Sequence, residues 1–426
     1  DLQLQQLLET SFLILHLLGN PVNAGSNLDI DGNFTIASGP FVPGNFNHTV
    51  AGNWDSEFGI FDAGSGIGKI TFDGATSANI KAAVSNDFHH FEINTTADKT
   101  VITNNLDIDG DFTITAGTFN PGALSLDIAG NWDDTGGSFT GGTSTITMSG
   151  VATKTINTGN NNKFNNLIVS GTVSTNSDFA VEIGGALTVS ASGTLNVAAG
   201  DTLSFSGVLN DAHTVANTGT LTLSTTAALN STLDFRGSTS NTLEVNGTLN
   251  LNGVGNGGDN SVGRAMVIGD GSSRVDISLP SGANTGTFNG SFFTVRFPVS
   301  AGLKINSDAN HSMSNGAFYE PVVGGALLNF EDAGTLPITI DSCSFYGDDN
   351  VDKNVRGNVS TDPVTFINFG GTLALNATDA EDNDADSGDP GEIKWFNNKW
   401  YSFRFSLSKN VNEVAAWYSD NNPATI

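Results

Sequence analysis

Seven times between Ile30 and Gly171, an apolar residue, one spacer and a glycine recur as a triplet. The triplets are Ile30-Asp31-Gly32, Val50-Ala51-Gly52, Phe72-Asp73-Gly74, Ile108-Asp109-Gly110, Ile128-Ala129-Gly130, Met148-Ser149-Gly150 and Val169-Ser170-Gly171. One break interrupts the even spacing, between Phe72 and Ile108, where Ile93 in "FHHFEI" fills the missing place without a glycine. So short a period excludes most all-β folds. A propeller blade needs about 40 to 50 residues, and a sandwich or barrel gives hairpin turns every ~8 to 12. A coil of two or three short strands joined by corners fits a period of about 20 residues directly.

Each period alternates apolar and polar residues, as in Leu28-Asp29-Ile30 and Phe34-Thr35-Ile36, the pattern of a strand with one buried face. Similar alternation runs through "GALTVSASGTLNVAAGDTLSFSG", "NTLEVNGTLNLNG", "LPITIDSCSF" and "VTFINFGGTLAL". Stacked coils would place like residues about 4.8 Å apart, with an aliphatic and aromatic column inside. Glycine and asparagine at the strand ends suit corners with positive φ.

A longer period lies over the short one. "LDIDGNFTI" at Leu28 returns as "LDIDGDFTI" at Leu106. Pro43-Gly44 returns as Pro121-Gly122, "AGNW" at Ala51 as "AGNW" at Ala129, and Phe61 as Phe139. After a slight slip in spacing, Ile80 matches Ile156 and Phe88 matches Phe164, while Phe12, Leu15 and Leu17 fit Phe88, Phe91 and Ile93 as a partial earlier copy. The expectation is a duplicated four-coil unit, about 28–105 and 106–171, in a regular solenoid over 1–207. The chain would then open inside a repeat. Residues 208–378 read as a continuing solenoid with longer loops, 379–392 as an acidic loop, and 393–426 as an aromatic C-terminal cap or docking segment.

Charge narrows the partners. With 44 Asp and Glu against 16 Lys and Arg, the net charge of −28 argues against nucleic acid and against docking on anionic lipid. The single Cys343 allows no intrachain disulfide. No stretch approaches the ~20 apolar residues of a membrane span. The opening "DLQLQQLLETSFLILHLLGNP" lacks the basic region and cleavage site of a signal peptide.

The "GNW…G.F..G…T…G" unit resembles repeats of large secreted surface proteins of environmental bacteria. "GTLNV" and "GTLNL" are similar to adhesin-type parallel β-solenoids, autotransporter passengers among them, and "ITIDSCSF", "VTFINF" and "DPGEIKW" resemble the late coils of right-handed parallel β-helices. The resemblance covers most of the chain between Phe12 and Trp395. It implies export to the cell surface, a right-handed parallel β-helix, and a role in adhesion, scaffolding or surface coating.

Several motifs could carry chemistry. Asp-x-Asp-Gly at Asp29 and Asp107 suggests a calcium loop, but no acidic residue stands where an EF-hand needs its closing ligand. The aspartates read better as the wet side of a strand. The run Asp379, Glu381, Asp382, Asp384, Asp386 and Asp389 is the better calcium candidate, set against a plain solvated loop. His89-His90 corresponds to Asn165-Asn166 in the second copy, so the position demands only something polar in a corner. Cys343, in an alternating strand, reads as core. The nearest grouping to a lyase or hydrolase site is Asp348, Asp349, Asp352, Lys353 and Arg356, whose spacing does not separate it from a polar corner.

The reading that follows is a non-enzymatic, extracellular structural protein without a cofactor, a rod-like β-solenoid scaffold, stalk or head-to-tail filament. A glycan- or cell-binding adhesin and a polysaccharide lyase or hydrolase are the rival classes. Assembly would use Leu2, Leu4, Leu7, Leu8, Phe12 and Ile14 at one end and Tyr401, Phe403, Phe405 and Trp417 at the other, unless the chain continues a longer protein.

Overall fold

The structure is a computed structural model. It describes residues 11–12, 15–19, 21–64, 66–83, 87–205, 212–236, 240–255, 262–280, 286–306, 310–323, 325–330, 338–346, 353–357, 364–369, 382–384 and 393–396. The chain is an all-β parallel β-solenoid with no helix among these residues. It divides into two units, Asp1–Leu223 with Ser231–Thr239, and Ser224–Asn230 with Ser240–Ile426.

In the first unit each coil lays a strand segment on each of three faces, and His90–Thr103 and Phe112–Asn120 each run over the first two as one strand. Ile30, Val50, Phe72, Ile93 and Ile114 stack in register on the first face. Phe34, Trp54, Ile80 and Val101 stack on the second. The third runs through Phe41 and Phe61, crosses the Asp62–Asp87 bridge to Phe88, and continues as Ile108, Ile128, Met148, Val169 and Val189. Ile93 does take the vacant place in the glycine series, paired with Phe72. Phe12, Leu15 and Leu17 pair with Ile30, Phe34 and Ile36 as Phe88, Phe91 and Ile93 pair with Ile108, Phe112 and Ile114, which bears out the earlier partial copy.

The duplication itself has a geometry that counting glycines misses. The step from Ile93 to Ile108 is shorter than a coil and carries the chain from the first face to the third, not round a full turn. The unit that begins at Leu28 and ends before Leu106 therefore makes three and two-thirds turns rather than four. Its second copy lands one face away. Ile30 lies on the first face and its counterpart Ile108 on the third, while Trp54 lies on the second and Trp132 on the first.

Rings from both copies fill the interior. Phe34 meets Trp54 at 4.5 Å, Trp54 meets Phe88 at 5.3 Å, Phe91 stacks on Phe112 at 5.7 Å and Phe112 on Trp132 at 4.4 Å. Burying each such side chain is worth about 1.5–3 kcal/mol of transfer free energy. Past Phe164 aliphatic residues predominate, through Val181, Leu187, Leu195 and Leu203, and rings return where Phe205 stacks on Phe235 at 4.5 Å.

The triplet glycines are not there for positive φ. A Cβ on Gly52 would come within 2.5 Å of the Gly32 carbonyl, on Gly74 within 1.7 Å of the Ala51 oxygen, and on Gly130 within 2.1 Å of the Gly110 carbonyl. They let one coil's backbone settle on the next. Positive φ is confined to other positions, such as the Pro-Gly turns at Gly44 and Gly122, both at +66°.

In the second unit the pairing remains parallel, but the connections lengthen unevenly. Val295 pairs with Phe318 after a coil of ordinary length. The coil from Leu249 to its partner Phe288 is far longer, with the strands Ala265–Ile268 and Val275–Leu279 between them. Here the expected left-handed corner appears in register. Phe292, Asn315, Ser342 and Asn368 follow stacked strand ends with φ of 46°, 53°, 57° and 53°.

Candidate functional site

The polar residues of the first unit are arranged by the same register as its core. Where the chain turns into the first face, a side-chain acceptor in one coil takes the backbone N–H of the corresponding residue in the next. Asn27 Oδ1 accepts from Asn47 N at 3.0 Å and Asn47 Oδ1 from Lys69 N at 3.2 Å. His90 Nδ1 accepts from Asp111 N at 2.9 Å, Asp111 Oδ1 from Asn131 N at 2.8 Å, and Asn131 Oδ1 from Thr155 N at 2.9 Å. These N–H groups sit at strand starts and would otherwise lack partners. The column continues in register through Ser174, Asn196 and Thr222, with Asn196 Nδ2 donating to Ser174 Oγ at 3.0 Å.

This column settles the histidine pair. Asn166, the counterpart of His90, accepts from Ala186 N at 3.0 Å, so imidazole and amide do the same work at a corner. Burial holds the His90 pKa below its usual value. Among the described residues, no group of three or more His, Cys, Asp or Glu side chains is placed to hold a metal ion.

The Asp-x-Asp-Gly aspartates point outward, as the alternation predicts. Asp29 accepts from the Thr49 hydroxyl at 2.6 Å across one rung. Asp107 lies in register between Asp87 and Asp127. Desolvation, then the neighbouring carboxylates Asp127, Asp87 and Asp109, raise its pKa to about 6.

Four buried polar groups belong to none of the sequence motifs. Asp134, fully buried, accepts Gly159 N at 2.7 Å, and burial raises its pKa to about 6. At the matching position of the first copy Ser56 accepts the Trp54 indole N–H at 2.8 Å, so comparing copies would have flagged the carboxylate. Lys99 Nζ, inside the coil, donates to the carbonyls of Gly74 and Thr76 at 3.0 and 2.7 Å. His48 accepts Leu28 N on Nδ1 at 3.0 Å, which leaves Nε2–H to donate to the Pro43 carbonyl at 3.1 Å. In the second unit the buried Arg264 donates to Thr294 Oγ1 at 2.7 Å and to the Asn315 carbonyl at 2.9 Å.

Across the outer side of the first face lies an open cleft of 270 Å³. It is lined by Asp111, Thr113, Asn131, Asp133, Thr155, Asn157 and Asn176, with Phe112 and Trp132 beneath. Thr113, Asp133 and Asn157 form one row in strand register.

Cys343 is buried, and burial pushes its thiol up to about 12, which leaves no reactive thiolate at neutral pH. Lys353 and Arg356 belong to the strand Lys353–Gly357, whereas Asp348, Asp349 and Asp352 lie outside the described residues. Asp382 and Asp384 form part of a strand paired to that one. Asp379, Glu381, Asp386 and Asp389 lie outside the described residues. So do Leu2, Leu4, Leu7, Leu8, Ile14, Tyr401, Phe403, Phe405 and Trp417, while Phe12 is placed only by its strand pairing with Ile30.

No helix among the described residues is long and apolar enough to cross a membrane. No protein-family model, curated protein or solved structure matches the chain.

Proposed function

We propose that this chain is a non-enzymatic structural protein of the cell exterior, serving as scaffold, stalk or filament subunit and associating end to end with its own kind. One observation carries the reading: coil fastens to coil through its polar groups as well as its core. The corner acceptors in the column from Asn27 to Thr155 are committed to backbone N–H groups of the adjoining coil. Side chains so engaged are architectural. A parallel coil also offers strand edges that a second copy can extend, and head-to-tail contacts that do not close generate filaments. Negative-stain electron microscopy of the purified chain over a concentration series tests this. Linear polymers that lengthen with concentration are expected; single particles at the highest concentration would overturn end-to-end assembly.

A further inference from the structure

We propose that the cleft between Asp111 and Asn176 binds a neutral polysaccharide, a chain of pyranose units laid across successive coils. The proposal concerns the outer side of the first face and is independent of end-to-end assembly.

The chemistry of the lining selects the ligand by elimination. The lining holds no Lys or Arg but two carboxylates, so a polyanion such as a polyuronate meets repulsion without a countercharge. The aromatic liners are fully buried, so an apolar ligand gains little surface there. A divalent cation lacks a third carboxylate or imidazole. What the lining does offer is a mixture of carboxylate, amide and hydroxyl groups, which together donate to and accept from vicinal hydroxyls.

The groups also divide by availability. The Asp111 and Asn131 oxygens that serve the corner column are occupied by the next coil's N–H groups. In the neighbouring row, among the described residues, the Thr113 hydroxyl and the Asn157 and Asn176 amides take no protein partner. Asp133 uses only Oδ1, which accepts Thr135 N at 3.1 Å and its hydroxyl at 2.7 Å. Thr113, Asp133 and Asn157 thus repeat a free polar group once per rung, about every 4.8 Å. That interval is close to the length of one sugar residue in an extended chain, so consecutive sugars can each meet a polar partner. The rigid strands supporting these side chains hold the row before any ligand arrives, which limits the ordering cost of binding.

Affinity gel electrophoresis of the intact chain tests the proposal. The gels would contain a soluble neutral β-glucan, a neutral mannan, or polygalacturonate, each with and without EDTA. Retardation by at least one neutral polymer, unchanged by EDTA, is expected. The Asn157→Ala/Asn176→Ala double variant should lose affinity at least tenfold while keeping the wild-type melting temperature. Asp133→Asn, which retains the acceptor used by Thr135, should also weaken binding, whereas Thr222→Ala, farther along the same face, should not. Retardation by polygalacturonate alone, loss of binding in EDTA, neutral-glycan binding untouched by the cleft variants, or no binding to either neutral polymer would overturn it. Because these variants leave the coil ends intact, their effect is separable from any failure to form polymers.

Discussion

Alanine at Gly130 would press a methyl group against the Gly110 carbonyl of the coil below, and no side-chain adjustment relieves a backbone clash. Gly130→Ala should therefore cost on the order of 1–3 kcal/mol in urea unfolding. Gly271→Ala, with nothing within 4 Å of its Cβ, should change little. Titrating residues act in opposite directions. Burial lowers the His48 pKa, and both ring nitrogens are committed in the neutral form. Its contribution is complete above the unfolded value of about 6.5 and is lost as pH falls through the folded value. Asp134 is raised to about 6, so its contribution is present below the unfolded value and is lost as pH rises through about 6. Asp134→Asn should thus raise stability at pH 7 by on the order of 2–3 kcal/mol and leave it nearly unchanged at pH 4. Denaturant melts at the two pH values would show this. An equal gain at both would contradict the assignment.

Strands and corners were legible to different degrees. The alternation around Leu28 to Ile36 disclosed the strand and its buried side, because period two leaves few other readings. Ile93 could be placed in the glycine series by spacing alone. The face to which Ile108 belongs could not, because a solenoid strand looks the same whichever side it occupies. The glycine series is legible in the sequence, but its cause is close backbone approach rather than positive φ. Positive φ is a local property, whereas the contact of Gly130 with Gly110 joins residues a full coil apart. The cleft was invisible because Thr113, Asp133 and Asn157 become neighbours only through register. At this scale, Asn131→Ala should cost about 1–3 kcal/mol, since it strands the Thr155 N–H at its strand start. Trp132→Ala should cost roughly 3–5 kcal/mol by emptying the stack on Phe112. Thermal melts of the two single variants check both, and the reverse order would argue that the corner column outweighs the core.

Over the whole molecule, a charge of −28 opposes any assembly of like chains. Exposed charges are screened beyond about 10 Å at 0.1 M salt. If copies join end to end, raising NaCl from about 0.05 to about 0.5 M should lengthen the polymers, as read by light scattering; polymers that dissolve in salt would point to ion-paired joints instead. The offset between the two sequence copies bears on how such a protein meets its surroundings. A tandem duplication that closed on whole turns would pile identical patches into one stripe along one flank. Falling a third of a turn short distributes them around the girth. The aspartate-bearing strand at Leu28 and its twin at Leu106 therefore look out in different directions. Any single side of the first unit thus presents a composite of the two copies, and no one flank carries both versions of the same strand.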